Sequence, residues 1–140
     1  MPALPQAPLW SDLPHAPAPG ALVGSRDALA DGQATLLALD TGGGAEHPFR
    51  LLLLRSGLAV HAFVNRCAHF GVPLAARQEH LIQTPLVSLT CNVHYARYRW
   101  ADGVCEWGDC EGESLIPVPL DVDRDGTIRI GMHPTEAPHP

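Results

Sequence analysis

Lysine is absent from the 140 residues: all nine basic side chains are arginines, and fifteen carboxylates outnumber them to leave a formal charge of −6. Such a surface repels phosphate backbones, whose binding needs clustered basic charge, so nucleic acid is excluded as a partner class. The same charge steers the chain, in a salt-dependent way, towards a basic patch on another protein. No stretch of about 18 apolar residues occurs, so no membrane span is expected. The start, MPALPQAPLWSDLPHAPAPG, has neither the basic opening nor the apolar core of a secretory signal, which points to a cytoplasmic protein. Cysteine is scarce, at four residues. In a reducing compartment four thiols indicate metal binding or redox chemistry before structural disulfides. Helical periodicity of useful length is also missing, with only Ser25 to Asp31 suited to a turn of helix. The Gly42-Gly43-Gly44 triplet lacks the following helix that a phosphate-binding loop requires and reads as a hairpin connection. No mononuclear iron triad is present, which argues against a stand-alone enzyme.

What the chain does contain is a set of short apolar runs between turn signals. The length suits one compact domain with tails. Six prolines among the first nineteen residues deny that segment both helix and regular sheet. The expected division is a Pro-rich extended arm over 1–20, one domain over 21–131 and a tail over 132–140. The arm is read as a solvated tail in preference to one lying on the surface through Leu9, Trp10 and Leu13. Strands are expected at Ala34 to Leu39, Phe49 to Leu54, Leu58 to Val64, Leu86 to Cys91, Tyr95 to Trp100, Leu115 to Val122 and Thr127 to Ile130. Alternation in the third run sets Leu58, Val60, Ala62 and Val64 against Ala59, His61 and Phe63. Ser56-Gly57, Asp102-Gly103 and Asp125-Gly126 mark hairpin turns. The fold class is therefore all-β and antiparallel.

Chemistry is concentrated in Cys67-Ala68-His69 and Cys91-Asn92-Val93-His94, each offering one thiolate and one imidazole. One zinc ion is the main alternative, because four Cys and His ligands suit it. Zinc elements of this composition usually pair like ligands along the chain, with two or more residues between them. The single residue between Cys67 and His69 is tight for one tetrahedral ion. It is natural for a two-iron cluster in which each loop serves both irons. The other histidines, His15, His47, His61, His80, His133 and His139, have no nearby cysteine and are expected on surfaces or ordinary strand faces.

These segments resemble the Rieske ferredoxin family, whose pattern is C-x-H, a spacer and C-x-x-H inside a small β domain. The likeness covers about Leu22 to Ile130. Asn65-Arg66-Cys67-Ala68-His69-Phe70-Gly71-Val72-Pro73-Leu74 is similar to the first cluster loop. Cys91-Asn92-Val93-His94, followed by Ala96-Arg97-Tyr98 and the Asp102-Gly103 turn, is similar to the second. The resemblance implies a small Rieske-like antiparallel β-sandwich or barrel with a two-loop cluster-binding subdomain at about 65–112. It implies one 2Fe-2S cluster, with Cys67 and Cys91 on one iron and His69 and His94 on the other. It also implies a ferredoxin that passes single electrons from a reductase to a terminal oxygenase or another oxidoreductase. The alternatives are a zinc-bound structural or interaction module and an electron-entry subunit of a larger oxidoreductase.

Departures from the family pattern are informative. The residue after the second histidine is commonly glycine, and here it is Tyr95, whose Cβ disfavours a left-handed backbone and would alter the loop. The spacer from His69 to Cys91 holds 21 residues, several more than usual. Its extra length is assigned to a surface hairpin around Arg77 to Thr84. High-potential members brace the loops with a disulfide, but Val72 and Val93 stand where those cysteines would be. The potential is therefore placed near the lower end of a Rieske range of about −150 to +300 mV. Tyr98 could donate a hydrogen bond to the cluster and raise it. Cys105 and Cys110 are expected as free thiols, with Cys110 in a segment that commonly shields the cluster and often holds proline. Eight carboxylates between Asp102 and Asp125, against Arg124 alone, suggest an acidic docking surface after the hairpin.

Overall fold

The computed structural model describes residues 9–44, 46–68, 72–93, 95–108 and 110–131. Within them lie eleven strands and three short 3-10 turns, and every sheet pairing is antiparallel. The strands are β1 (Leu22–Ser25), β2 (Ala34–Leu39), β3 (Phe49–Ser56), β4 (Ala59–Val64), β5 (Ile82–Thr84), β6 (Ser88–Thr90), β7 (Arg97–Arg99), β8 (Cys105–Trp107), β9 (Pro117–Val118), β10 (Leu120–Val122) and β11 (Thr127–Ile130). They form three sheets, ordered β1-β11-β10, β2-β3-β4-β9 and β5-β6-β7-β8.

The four-leucine run Leu51 to Leu54 explains why the β2-β3-β4-β9 sheet is central. Alternate side chains of a strand point to opposite faces, so a run without polar breaks needs apolar cover on both. Leu51 and Leu53 join Trp10, Phe49, Ala62, Val64, Ile128 and Ile130 in one core. Leu52 and Leu54 join Phe63, Leu89, Tyr98 and all four cysteines in the other. The alternation expected for the third run holds, with Ala62 and Val64 in one core and Phe63 in the other. The second core is the space between the central sheet and the β5-β6-β7-β8 sheet, and it is where the chemistry sits.

Three turn glycines adopt the left-handed backbone that their dipeptides require: Gly57 (φ 65°), Gly103 (φ 72°) and Gly126 (φ 90°). The run from Leu115 to Val122 divides into two strands because Pro119 has no N–H to continue a ladder. β9 pairs with β4 in the central sheet, and β10 pairs with β11 in another. Leu86 takes φ 65° in the turn between β5 and β6, so β6 begins only at Ser88. The helical turn expected after Ser25 is the 3-10 turn Arg26–Ala28.

Two local expectations differ. The arm is not a solvated tail over residues 9–20. Trp10, in the 3-10 turn Trp10–Asp12, is only 4% exposed and packs in the first core, with Leu13 and Ala16 against it. Burying one large ring outweighs the chain entropy that a proline-rich segment has already largely given up. Residues 1–8 and 132–140 lie outside the described residues. The long spacer does more than make a surface hairpin. Gln83 accepts from the Ala34 N–H (2.7 Å) and donates to the Ala34 carbonyl (3.1 Å). Gln78 accepts from the Leu36 N–H (2.7 Å) and also donates to the Ala34 carbonyl (3.0 Å). These side chains satisfy backbone groups on the outer edge of β2, which would otherwise offer a template for another strand.

Candidate metal centre

Two loops from different sheets bring Cys67 and Cys91 into one buried core. Cys67 follows β4 of the central sheet, whereas Cys91 follows β6 of the third sheet. Both thiols are sealed from solvent, at 1% and 0% exposure. The first loop is closed by the Cys67 N–H donating to the Val72 carbonyl (2.6 Å). Asn65 clamps it from inside: its side chain accepts from the Leu74 N–H (2.8 Å) and donates to the Ala75 carbonyl (3.0 Å).

The second loop is a tight turn in which the Cys91 N–H donates to Ala96 and the Tyr95 N–H donates to Cys91, both at 2.8 Å. Tyr95 takes φ 60°, so the left-handed conformation survives without glycine. The expected change in loop shape is not needed at this position; the chain accepts local strain instead, of about 1–2 kcal/mol. No disulfide bridges the loops through positions 72 and 93, which are valines. A backbone bond joins them, from the Asn92 N–H to the Leu74 carbonyl (2.8 Å).

A third segment covers this pair. After β8 the chain turns at Gly108 and returns, with the Cys105 N–H donating to Glu113 and an antiparallel bridge between Val104 and Ser114. Gly108 has φ 113°, and a Cβ there would lie 3.1 Å from the Cα of Ala96, so glycine lets this segment approach the second loop. The return places Cys110, 1% exposed, beside Tyr98. Cys105 and Cys110 are free, buried thiols, as expected. Burial, reinforced by the Cys110 side chain, pushes the Cys105 thiol up to about 12.

Tyr98 is the hub. It is fully buried in the middle of β7, between Leu89 of β6 and Cys105 of β8. Its hydroxyl lies 3.2 Å from the Cys67 sulfur, 3.3 Å from the Cys110 sulfur and 3.0 Å from the Ala68 N–H. Burial holds the phenol protonated well above its ordinary range, with the Cys110 and Cys67 side chains adding to that effect.

His69 and His94 lie outside the described residues, as do their neighbours Phe70 and Gly71, and so does Asp109. Among the described residues no group of three potential metal ligands forms. Of the remaining histidines, His61 is a half-buried strand residue whose Nε2 meets the Trp100 carbonyl at 2.8 Å, and exposed His15 stacks on exposed His47 at 5.3 Å. The acidic stretch is partly neutralised: Glu106 pairs with Arg97 (3.0 Å) and Asp102 with Arg99. Arg99 depresses the Asp102 carboxyl below its usual range. Sequence reasoning missed Asn65 as the loop clamp and Cys110 as a partner of Tyr98. Asn65 carried a weak signal as a polar residue ending an apolar strand just before the first cysteine; for Cys110 the signal was its place in a segment like one that shields the cluster, which did not name Tyr98.

The family model for the Rieske [2Fe-2S] domain matches residues 22–121, well over half of the chain. The chain belongs to the Rieske [2Fe-2S] domain family. That family's cofactor is a 2Fe-2S cluster, and the site fits it. Two sealed thiols from facing loops, with a hydroxyl 3.2 Å from one of them, suit a cluster with two cysteine ligands. The Rieske domain here shares its fold with the ferredoxin of carbazole 1,9a-dioxygenase from Nocardioides aromaticivorans IC177, at 19% identity and a TM-score of 0.60, over 81% of this chain and 98% of that one. It is similar also to the terminal oxygenase of the same system from that organism, at 20% identity and a TM-score of 0.62, over 89% of this chain and 32% of that one. A reduced complex between oxygenase and ferredoxin in carbazole 1,9a-dioxygenase matches at 22% identity and a TM-score of 0.65, over 88% of this chain and 30% of that one. The chain thus spans about a third of the oxygenase chains and nearly the whole of the ferredoxin. No curated protein matches it by sequence. Among the described residues no helix is long and apolar enough to cross a membrane.

Proposed function

We propose that this Rieske domain is a ferredoxin, a one-electron carrier whose cluster is held by Cys67 and Cys91 on one iron and by His69 and His94 on the other. The observation that carries the reading is the convergence of Cys67 and Cys91, 24 positions apart in sequence, in one sealed core with the Tyr98 hydroxyl on the Cys67 sulfur. When bound, the cluster supplies a site that gains and loses one electron with little change in geometry. The chain's own residues keep that site dry and hold its ligands still. Asn65 and the Asn92 to Leu74 bond hold the two loops in register, and Tyr98 offers a proton to the thiolate.

In this reading residues 21–131 form the carrier domain, flanked by the 1–20 arm and the 132–140 tail, in a cytoplasmic protein. Electrons enter from a reductase and leave to a terminal oxygenase or similar enzyme, as the solved oxygenase and ferredoxin pairs suggest by their names. Val93, Tyr95 and Trp107, all more than half exposed on or beside the cluster loops, would make apolar contact with such a partner. The carboxylates beyond them would steer its approach. Without a bracing disulfide at Val72 and Val93, the potential falls in the lower part of the Rieske range.

Anaerobic purification with iron, acid-labile sulfide and zinc analysis tests the cofactor, together with electron paramagnetic resonance after dithionite reduction. Two irons and two sulfides per chain are expected, and replacing His69 or His94 by Ala should abolish the Rieske signal. One zinc without sulfide would overturn the reading. Reduction by a partner that did not slow as salt rises would count against electrostatic steering.

A further inference from the structure

The Tyr98 hydroxyl has three polar neighbours, and their chemistry settles which way its proton points. A phenol oxygen has one proton to give and room to accept two. The Ala68 amide at 3.0 Å can only donate. The Cys110 thiol, 3.3 Å away and 1% exposed, is placed as a donor to the same oxygen. A thiolate that ligates iron has no proton, so Cys67, at 3.2 Å, can only accept. With both acceptor positions filled, the hydroxyl proton has one place left.

We infer that Cys110 is a positioning residue for the cluster: by donating its S–H to the Tyr98 oxygen it orients and strengthens the Tyr98 hydrogen bond to the Cys67 thiolate, and so raises the reduction potential. This rests on the Rieske reading above. A hydrogen bond to a ligand sulfur stabilises the more negative, reduced cluster more than the oxidised one. Chained bonds polarise one another in a dry interior, so a donor behind the phenol makes the phenol a better donor. The segment between Gly108 and Glu113 is built for this contact. The Glu113 N–H donates to the Cys110 carbonyl at 2.9 Å, which folds the chain back over β7 and directs Cys110 inwards. Cys105, the cross-strand neighbour of Tyr98, has its sulfur 3.4 Å from the Trp107 carbonyl and beside the Cys110 side chain.

The test is a redox titration of the purified holoprotein, followed by electron paramagnetic resonance, for Cys110→Ala, Cys110→Ser, Tyr98→Phe and the double variant Tyr98→Phe with Cys110→Ala. Cys110→Ala should lower the potential, by less than Tyr98→Phe does. Cys110→Ser keeps a donor and should hold the potential near that of the parent. In the Tyr98→Phe background, removing Cys110 should have no further effect, because the path through the hydroxyl is gone. Equal shifts for Ala and Ser, or the same shift with and without the Tyr98 hydroxyl, would overturn the inference and leave Cys110 as packing. An unchanged potential in Cys110→Ala would do the same. If Cys110→Ala fails to load a cluster, Cys110→Val, close in size and without a donor, takes its place with the same expected and refuting results. Loss of the ferredoxin reading is seen separately, as absence of iron and sulfide in the parent protein.

Discussion

Replacing Asn65 by Ala removes the clamp of the first cluster loop while leaving every proposed ligand in place. Asn65 is 5% exposed, and its two partners belong to Leu74 and Ala75, which are 0% and 3% exposed. The substitution therefore strands a buried N–H and a buried carbonyl together. Each such loss costs about 1–3 kcal/mol, so the expected destabilisation is about 2–6 kcal/mol. A domain of this size has a total stability of about 5–15 kcal/mol, so the variant should fold yet be clearly weakened. Urea unfolding of the holoprotein by circular dichroism should give a lower midpoint at an unchanged slope. The same opening exposes the cluster, so bleaching of visible absorbance by an iron chelator should accelerate about tenfold for each 1.4 kcal/mol lost. Asn65→Asp keeps the acceptor for Leu74 but sets an oxygen against the Ala75 carbonyl, and should be no better than Ala. A midpoint shift worth less than about 0.5 kcal/mol, with unchanged bleaching, would refute the view that this side chain holds the loop.

Three other outcomes follow from the geometry. Cys105 keeps its proton up to about pH 12 in the fold, against 9.0 ordinarily, so between those values the unfolded chain binds fewer protons than the native one. Stability is full below pH 9 and should fall by about 1.4 kcal/mol per pH unit above it, with Tyr98 adding in the same direction at higher pH. Urea midpoints measured from pH 8 to 10.5 should show that slope and lose part of it in Cys105→Ala. Tyr95→Gly relieves a left-handed backbone at φ 60° but adds unfolded-chain entropy, so a net gain between zero and about 1 kcal/mol is expected. A clear loss in thermal unfolding would mean that the Tyr95 side chain itself supports the loop. Gln83→Ala orphans the buried Ala34 N–H, at a cost of about 1–3 kcal/mol, and bares the β2 edge. Sedimentation should then show more concentration-dependent self-association than in the parent.

Much of the fold was legible because its signals are local. The runs at Ala34 to Leu39 and Thr127 to Ile130 are the strands β2 and β11 residue for residue. Alternation along β4 assigned its two faces, and three glycine dipeptides marked their turns. The strands β1, β5 and β8 escaped notice because each is only three or four residues long and breaks the apolar pattern, with Gly24, Gln83 and Glu106 respectively. The docked Trp10 was obscured by the prolines around it, which report backbone freedom and not what a neighbouring ring will cover.

The sequence by itself pointed to the chemistry class: a cysteine and a histidine at very short spacing, twice over, are the pattern that resembles a Rieske 2Fe-2S site. It also determined the all-β, antiparallel plan, through a residue period of two and its punctuation. Tertiary structure alone decided how the site is held and tuned. The Tyr98 hydroxyl reaches Cys67 across 31 positions and Cys110 across 12, Gln83 caps Ala34 across 49, and Leu74 receives the Asn92 amide between loops of different sheets. The reason is physical: spacing can signal bonds made within one turn or loop, whereas bonds between distant segments exist only once two apolar faces have packed and brought their polar groups into register.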